Sequence, residues 1–207
     1  MSAPLVKLTP PSAEGPVLLH ACCAPCSSAV LECMVQNGIK PVLFFSNSNI
    51  DTREEYDKRF AELRRYAASF GIEAIGDEYD HNAWLEAVKG LEDEPERGRR
   101  CLKCFRYRLM RAAEYARSHG AACLTTTLAS SRWKSLDQVS QAGSSVCGDG
   151  VLWWDMNWRK GGLQPRRAEL IREWVFYNQT YCGCEFSQLG TSSLDQLSVR
   201  KGATGMP

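Results

Sequence analysis

The sequence predicts an α/β protein in which helices cover a mainly parallel sheet. Short apolar runs of strand length recur along the chain, and segments with apolar residues at helical spacing lie between them. Strands separated by single helices indicate βαβ units, which pair in parallel through right-handed crossovers. The chain has 207 residues, of which 44% are hydrophobic and 24% charged, so it can form one domain with a sizeable core.

The predicted strands are short, apolar and bounded by turn-forming residues: 17–21, 41–46, 72–79, 122–128 and 151–156. The predicted helices carry apolar residues three or four positions apart: 26–36, 52–70, 81–91, 101–119, 134–142 and 164–178. Gly38 and Gly71 are typical ends for the first two helices, and the turn NSNID provides N-cap chemistry before the second. The charged stretch EDEPERGRR predicts an exposed loop.

The two ends of the chain fall outside this pattern. Residues 1–16 contain four prolines and show no periodicity, so we expect a disordered N-terminal arm. Residues 187–207 lack aromatic residues and are rich in Ser, Thr and Gly, so we expect a flexible C-terminal tail. Residues 17–186 then form a single α/β domain.

The composition excludes several classes of protein. No apolar run reaches the length of about 18 residues typical of a transmembrane helix, and no secretory signal precedes the domain, so we expect a cytoplasmic protein. The net charge of +1 means that a nucleic acid would have to bind to a local basic patch. The phosphate-binding patterns GxGxxG and GxxxxGK[ST] are absent.

Seven of the ten cysteines occur in three short motifs: HACCAPC with Cys22, Cys23 and Cys26, CLKC with Cys101 and Cys104, and CGC with Cys182 and Cys184. In a reducing compartment such clusters indicate metal binding or catalysis more often than structural disulfides. The other three cysteines, Cys33, Cys123 and Cys147, are expected to be packed or inert.

The CxxC motif at the start of a helix places both thiols on one side, where the helix N-terminus favours thiolates. At a strand-to-helix turn, neighbouring cysteines can also face one centre. Four thiolates from Cys22, Cys23, Cys101 and Cys104 would complete the shell of a [4Fe–4S] cluster. The CGC motif indicates a strained, easily reduced disulfide or a second metal site, the remaining alternative being two unrelated cysteines near the tail. Cys26 could join either centre or remain a free thiol.

Six motifs, in this order, resemble the cobalamin-independent type of epoxyqueuosine reductase (QueH family): HACCAPCS, FFSNSNID, RCLKCFRYRL, TTTLASSRWK, NWRKGG and YNQTYCGCEFS. They span residues from about 18 to 187. The resemblance implies a Rossmann-like, adenine-nucleotide α-hydrolase-like three-layer fold. It also implies reduction of epoxyqueuosine to queuosine at the wobble position of tRNA anticodons, the final step of queuosine biosynthesis, without cobalamin.

The resemblance further implies a [4Fe–4S] cluster on Cys22, Cys23, Cys101 and Cys104. Cys182 and Cys184 would then be a redox-active disulfide or the ligands of one additional iron. Deoxygenation of an epoxide requires two electrons, here from an unidentified donor, and an acid for the leaving oxygen. The candidate catalytic residues are Cys182, Cys184, Cys26 and Asp155, with Asp51 as a second polar candidate. His20 either hydrogen-bonds a cluster sulfur or is a satisfied core histidine.

A tRNA substrate needs phosphate contacts and surfaces on which bases can stack. Basic residues interleaved with tryptophan follow the fourth and fifth predicted strands: Arg132, Trp133, Lys134, Trp158, Arg159 and Lys160. Further arginines lie beside the CxxC motif and in the last helix: Arg97, Arg99, Arg100, Arg106, Arg108, Arg166 and Arg167. The competing interpretations are a metal-free thiol–disulfide oxidoreductase and a zinc-stabilised binding module.

Overall fold

A five-stranded parallel sheet forms the centre of the protein, seen here in a computed structural model that describes residues 5–187. Its strands are β1 (Val17–His20), β2 (Val42–Phe45), β3 (Ala74–Gly76), β4 (Cys123–Thr126) and β5 (Leu152–Trp153). They lie in the order β3-β2-β1-β4-β5, and each neighbouring pair is parallel. The predicted α/β class and its Rossmann-like, three-layer form are confirmed.

Within the described part of the chain, six α-helices cover the sheet: α1 (Ala24–Gln36), α2 (Arg53–Ala68), α3 (His81–Val88), α4 (Arg99–Ser118), α5 (Leu136–Val146) and α6 (Leu163–Glu173). Alternate strand residues face opposite layers, as the period of two requires. Leu19 and Leu43 lie in the core that includes residues of α1, α2 and α6, whereas Leu18 and Phe44 pack with the alanines of α4. Burial on both faces explains why β1 and β2 are apolar throughout.

Several element boundaries differ from those predicted. Helix α1 begins two residues earlier than predicted, so Cys26 lies in its first turn. Pro25 is also in that turn, where the N–H that proline lacks would have no partner within the helix. Helix α4 likewise begins at Arg99, which places Cys101 in its first turn and Cys104 in its second. Strand β5 has two residues and is shorter than the predicted strand 151–156, because only Leu152 and Trp153 pair with β4.

The N-terminal segment differs from the disordered arm that its prolines predict. Leu8 is buried in the core, and its backbone N–H donates to Asn37 Oδ1 at 2.9 Å. The Asn37 amide in turn donates to the Val6 carbonyl at 2.8 Å. One apolar side chain and two hydrogen bonds therefore hold residues 6–8 against the end of α1. The predicted tail lies outside the described residues, apart from Ser187.

The order of the strands fixes where a binding site forms. From the central strand β1 the chain moves outward through β2 and β3, and it later returns to the other side of β1 with β4 and β5. Open α/β sheets bind ligands at this switch point, beyond the carboxyl ends of the strands. There Cys22 N–H donates to Thr127 Oγ1 at 3.0 Å and joins the loops after β1 and β4. No helix among residues 5–187 is long and apolar enough to span a membrane.

Candidate metal centre and active site

A cavity of about 580 Å³ opens at the carboxyl edge of the sheet. Six thiols from the three cysteine motifs line it: Cys22, Cys26, Cys101, Cys104, Cys182 and Cys184. The seventh motif cysteine, Cys23, is buried beside them with its Sγ 3.9 Å from that of Cys22. The fold therefore gathers residues up to 162 positions apart in sequence around a single space. All ten cysteines are free thiols in this structure.

The thiols of Cys22, Cys23 and Cys26 form the tightest group, with their Sγ atoms all within 4.8 Å of one another. Hydrogen bonds from the Cys22 and Cys23 thiols lower the pKa of Cys26, and the charge of Arg167 lowers it further. The pKa of Cys23 is raised by the same contacts. Gln179 Nε2 donates to Cys23 Sγ at 2.9 Å from the segment preceding the CGC motif. Three buried thiols at this spacing suit a metal centre, and Cys26 lies with Cys22 and Cys23.

The CxxC pair lines the same cavity from α4. Cys104 is buried and Cys101 half-buried, and the Arg97 N–H donates to Cys101 Sγ at 3.3 Å. Burial raises the pKa of both thiols, that of Cys104 to about 11. The expectation of lowered thiol pKa values at this helix N-terminus therefore differs from the structure, in which burial disfavours the charged form of both thiols.

The CGC turn contributes two half-buried thiols. Burial, reinforced by Cys182, raises the pKa of Cys184 to about 12. Cys184 packs with Cys104 and Trp84 in a small apolar cluster. The CGC and CxxC motifs are therefore neighbours in the cavity wall, although Cys104 and Cys184 are 80 positions apart in sequence.

The cavity wall is strongly basic. Its charged side chains are Arg59, Arg97, Arg100, Arg108, Arg132, Lys134 and Arg167, against one carboxylate, Glu96. Arg108 is 2% exposed and donates to the Ser46 carbonyl and to Asn47 Oδ1, with no carboxylate partner among residues 5–187. Metal-bound thiolates carry negative charge, and buried cations around them offset it. The all-thiol donor set and these cations fit an iron–sulfur cluster.

The tRNA-binding candidates divide between the cavity and positions away from it. Arg132, Trp133 and Lys134 line the cavity, and Trp133 is 74% exposed. Burial lowers the pKa of Lys134, but electrostatic interaction with Cys182, Cys22 and Cys26 raises it by more, so the side chain keeps its ammonium charge.

The candidates after β5 do not line the cavity. Trp158 is fully buried with its ring 5.7 Å from that of Trp154, so the prediction that it stacks on a base is wrong. Arg159 Nη2 donates to the carbonyls of Ser131 at 2.5 Å and Lys134 at 2.6 Å. It therefore holds the loop after β4. Lys160 is exposed, away from the cavity wall.

Other candidate residues also take structural positions. Asp155 is exposed outside the cavity wall and accepts a hydrogen bond from Ser140 Oγ at 2.5 Å. Its predicted catalytic role has no support from its position. Both ring nitrogens of His20 have partners, Thr126 Oγ1 at 2.7 Å and the Ser46 carbonyl at 3.0 Å. Burial lowers the pKa of His20 to about 3, so it is a neutral core histidine.

Several residues in the cavity wall have no role in the sequence-based prediction, among them Asn49, Arg59, Gln179 and Tyr181. Two of them lie in YNQTY, directly before the CGC motif, and Asn49 lies in the polar turn after β2. Their proximity to recognised motifs was an available signal. No such signal exists for Arg59, which occupies the middle of a charged helix.

The family described as epoxyqueuosine reductase QueH matches residues 17–189 of this chain. Proteins of that name include one from Haemophilus influenzae, which is 43% identical over 190 residues, covering 90% of this chain and 78% of the relative. One from Acinetobacter baylyi is 41% identical over 194 residues, covering 93% of this chain and 89% of the relative. One from Thermotoga maritima is 35% identical over 179 residues, covering 84% and 91%. The chain therefore belongs to the epoxyqueuosine reductase QueH family.

Proposed function

We propose that this chain reduces epoxyqueuosine to queuosine at the wobble position of tRNA anticodons, in the cytoplasm, as the final step of queuosine biosynthesis. The observation that carries the proposal is the meeting of six motif thiols in one basic cavity of a family member. The reaction consumes two electrons and two protons, breaks both C–O bonds of the epoxide, and leaves an alkene and water. The electrons come from an unidentified donor.

Cys22, Cys23, Cys101 and Cys104 would hold a [4Fe–4S] cluster, which supplies one-electron transfer when bound. Cys26 lies close enough to the first two to replace one of them or to contact a neighbouring metal. Cys182 and Cys184 provide either a dithiol that stores two electrons or the ligands of one additional iron. The ligand set and the alternatives for CGC are parts of the proposal.

The residues of the chain have three tasks in this reaction. The cavity shelters the reacting carbon atoms from bulk water, which protects intermediates formed between the two electron transfers. Lys134 brings a charged ammonium group, beside Cys22 and Cys182, to the space where the epoxide oxygen leaves. Arg132 and Trp133 at the cavity mouth offer a phosphate contact and a stacking surface to the anticodon loop.

The test begins with iron, sulfide and zinc contents and the visible spectrum of protein purified without oxygen. About four irons and four sulfides per chain would support the cluster, and an excess approaching a fifth iron would support a metal at CGC. Zinc alone would favour the binding module. Colourless, metal-free protein with titratable disulfides would favour the thiol–disulfide oxidoreductase.

Activity is then measured with epoxyqueuosine-containing tRNA, a low-potential chemical reductant and analysis of the released nucleosides. We expect Cys101→Ala to lose the cluster absorbance and all turnover. Cys182→Ala should keep the absorbance and lose turnover. Cys147→Ala, a half-buried cysteine outside the three motifs, is the matched control and should keep both. No queuosine from fully loaded wild-type protein would reject the proposed function.

A further inference from the structure

Arg59 is an unusual residue for the middle of a helix, because its side chain is only 2% exposed. Its Nε donates to Glu55 Oε1 at 2.7 Å, one turn earlier on α2. Its Nη1 donates to the carbonyl of Cys182 at 3.0 Å, and the guanidinium carbon lies 5.1 Å from the centre of the Tyr181 ring. The guanidinium therefore connects α2 to the backbone of the CGC turn, 123 residues away.

The rest of the CGC turn is anchored to the same part of the fold. The Asp51 N–H donates to the Gly183 carbonyl at 2.8 Å, and the Tyr181 hydroxyl donates to the Asp51 carbonyl at 2.9 Å. Gly183 has a φ of +127°, which L-residues with a side chain rarely adopt. A Cβ at Gly183 would also lie 3.0 Å from both Arg59 Nη1 and Ile50 Cγ1. The turn is therefore pressed against α2 and the loop before it.

This arrangement is poorly explained by stability alone. A buried guanidinium is costly to dehydrate, and its donors need partners to offset that cost. The Nη2 group of Arg59 is buried and has no hydrogen-bond partner within residues 5–187. A residue kept for packing would be more stable as an apolar side chain of similar volume. The guanidinium instead supplies directional contacts to one particular turn.

We propose that Arg59 is a positioning residue that fixes the CGC turn so that the thiols of Cys182 and Cys184 both face the cavity. Its contact is with a backbone carbonyl and not with a sulfur atom, so it acts through the turn. Glu55 orients the guanidinium, and the Tyr177 hydroxyl holds Glu55 from the other side at 3.1 Å. The importance of this position for catalysis rests on the proposed function, whereas its effect on the thiols does not.

The experiment compares the reactivity of individual thiols in Arg59→Met and wild-type protein, purified without oxygen and reduced. Alkylation of Cys182 and Cys184 by iodoacetamide is followed by peptide mass spectrometry, with Cys147 as an internal reference. We expect Cys182 to react about tenfold faster in the variant, the size of effect that the loss of one charged hydrogen bond produces. The rate at Cys147 should be unchanged. With epoxyqueuosine-containing tRNA, kcat should fall while KM stays the same.

Two further variants keep the result interpretable. Arg53→Met removes an exposed arginine one and a half turns earlier on α2, paired with Asp57 at 3.0 Å, and should behave as wild type. Gly183→Ala disturbs the turn directly, because the added Cβ would press on Arg59 Nη1 and Ile50 Cγ1, and it should also accelerate alkylation of Cys182. It replaces Arg59→Met if that variant does not fold.

The positioning role would be overturned if the ratio of Cys182 to Cys147 alkylation rates in Arg59→Met equalled that of wild type. If Arg59→Met does not fold, the same ratio is measured in Gly183→Ala. This conclusion would hold even if wild-type protein reduces epoxyqueuosine. A faster reaction at Cys182 in protein that never yields queuosine would support the positioning role and reject the proposed function. The two failures are therefore separable, because the alkylation assay needs no substrate.

Discussion

Replacement of Trp133 by alanine should weaken tRNA binding without destabilising the fold. The indole is 74% exposed at the cavity mouth, whereas the backbone carbonyl of the same residue accepts a hydrogen bond from Arg97 Nε at 3.0 Å. Alanine keeps that backbone contact. Removal of an exposed side chain that leaves the loop anchored should change the free energy of unfolding by no more than about 0.5 kcal/mol.

The expected loss of affinity follows from the stacking that the indole can offer. Stacking of one base on an aromatic side chain contributes about 1–3 kcal/mol, and every 1.4 kcal/mol is a tenfold change in Kd. Trp133→Ala should therefore raise the Kd for the anticodon stem-loop by about 5- to 150-fold. Trp133→Phe keeps an aromatic face and should recover part of this loss.

Fluorescence anisotropy with a labelled anticodon stem-loop, at one fixed salt concentration, measures these affinities. Leu152→Ala is the matched control, because Leu152 is also a large exposed side chain, at 48%, but lies on the edge strand β5. Equal affinity of Trp133→Ala and wild-type protein for the RNA would refute the assignment of the cavity mouth as the RNA-binding surface.

Other consequences of the structure are open to measurement. Gly143→Ala should lower the free energy of unfolding, measured by urea titration, by about 1–3 kcal/mol, because the added Cβ would lie 2.3 Å from the Trp153 ring. Ser144→Ala, on the exposed side of the same helix, is the control and should leave this free energy unchanged. Burial raises the pKa of Cys123 from 9.0 to about 11, so the unfolded chain loses this proton first, and stability should fall by about 2–3 kcal/mol between pH 9 and 11. Cys123→Ala should show a shallower decline, and identical pH profiles would contradict the raised pKa. Arg159→Ala should weaken tRNA binding through movement of the loop after β4, with an unchanged salt dependence, and a slope reduced by about 0.7 would show a direct phosphate contact instead.

The fold was predictable because its signals are local. Apolar runs and helical spacing identify each strand and helix without knowledge of the partners, and strands alternating with helices leave a parallel sheet as the simple solution. The gathering of loops at one sheet edge follows from that topology. This topology brings together the loops after β1 and β4, but it does not place CGC, which follows α6 and not a strand, although the cavity wall contains residues of all three motifs.

The environment of individual side chains was less predictable, because it depends on contacts between distant residues. Trp158 and Trp133 both follow strands and both neighbour basic residues, yet one is fully buried and the other is largely exposed. In the sequence, Arg59 resembles any other charged residue of an amphipathic helix, and only the folded structure shows its contact with the CGC turn. The position of Arg108 was partly predictable. Cys101, Cys104 and Arg108 are three and four residues apart on α4, and this spacing places all three on one face of the helix.

The anchoring of the CGC turn on α2 also sets the order of events when the protein is made. A ribosome adds about 5–20 residues per second, so roughly 10–30 s separate the synthesis of Cys22 from that of Cys184. During that interval the first thiols emerge without the wall that later covers them, and no complete ligand pocket exists. The complete cavity wall exists only after Cys184 has been made, so the proposed cluster would meet its finished surroundings after translation, and the thiols of the nascent chain lack the shelter of that wall.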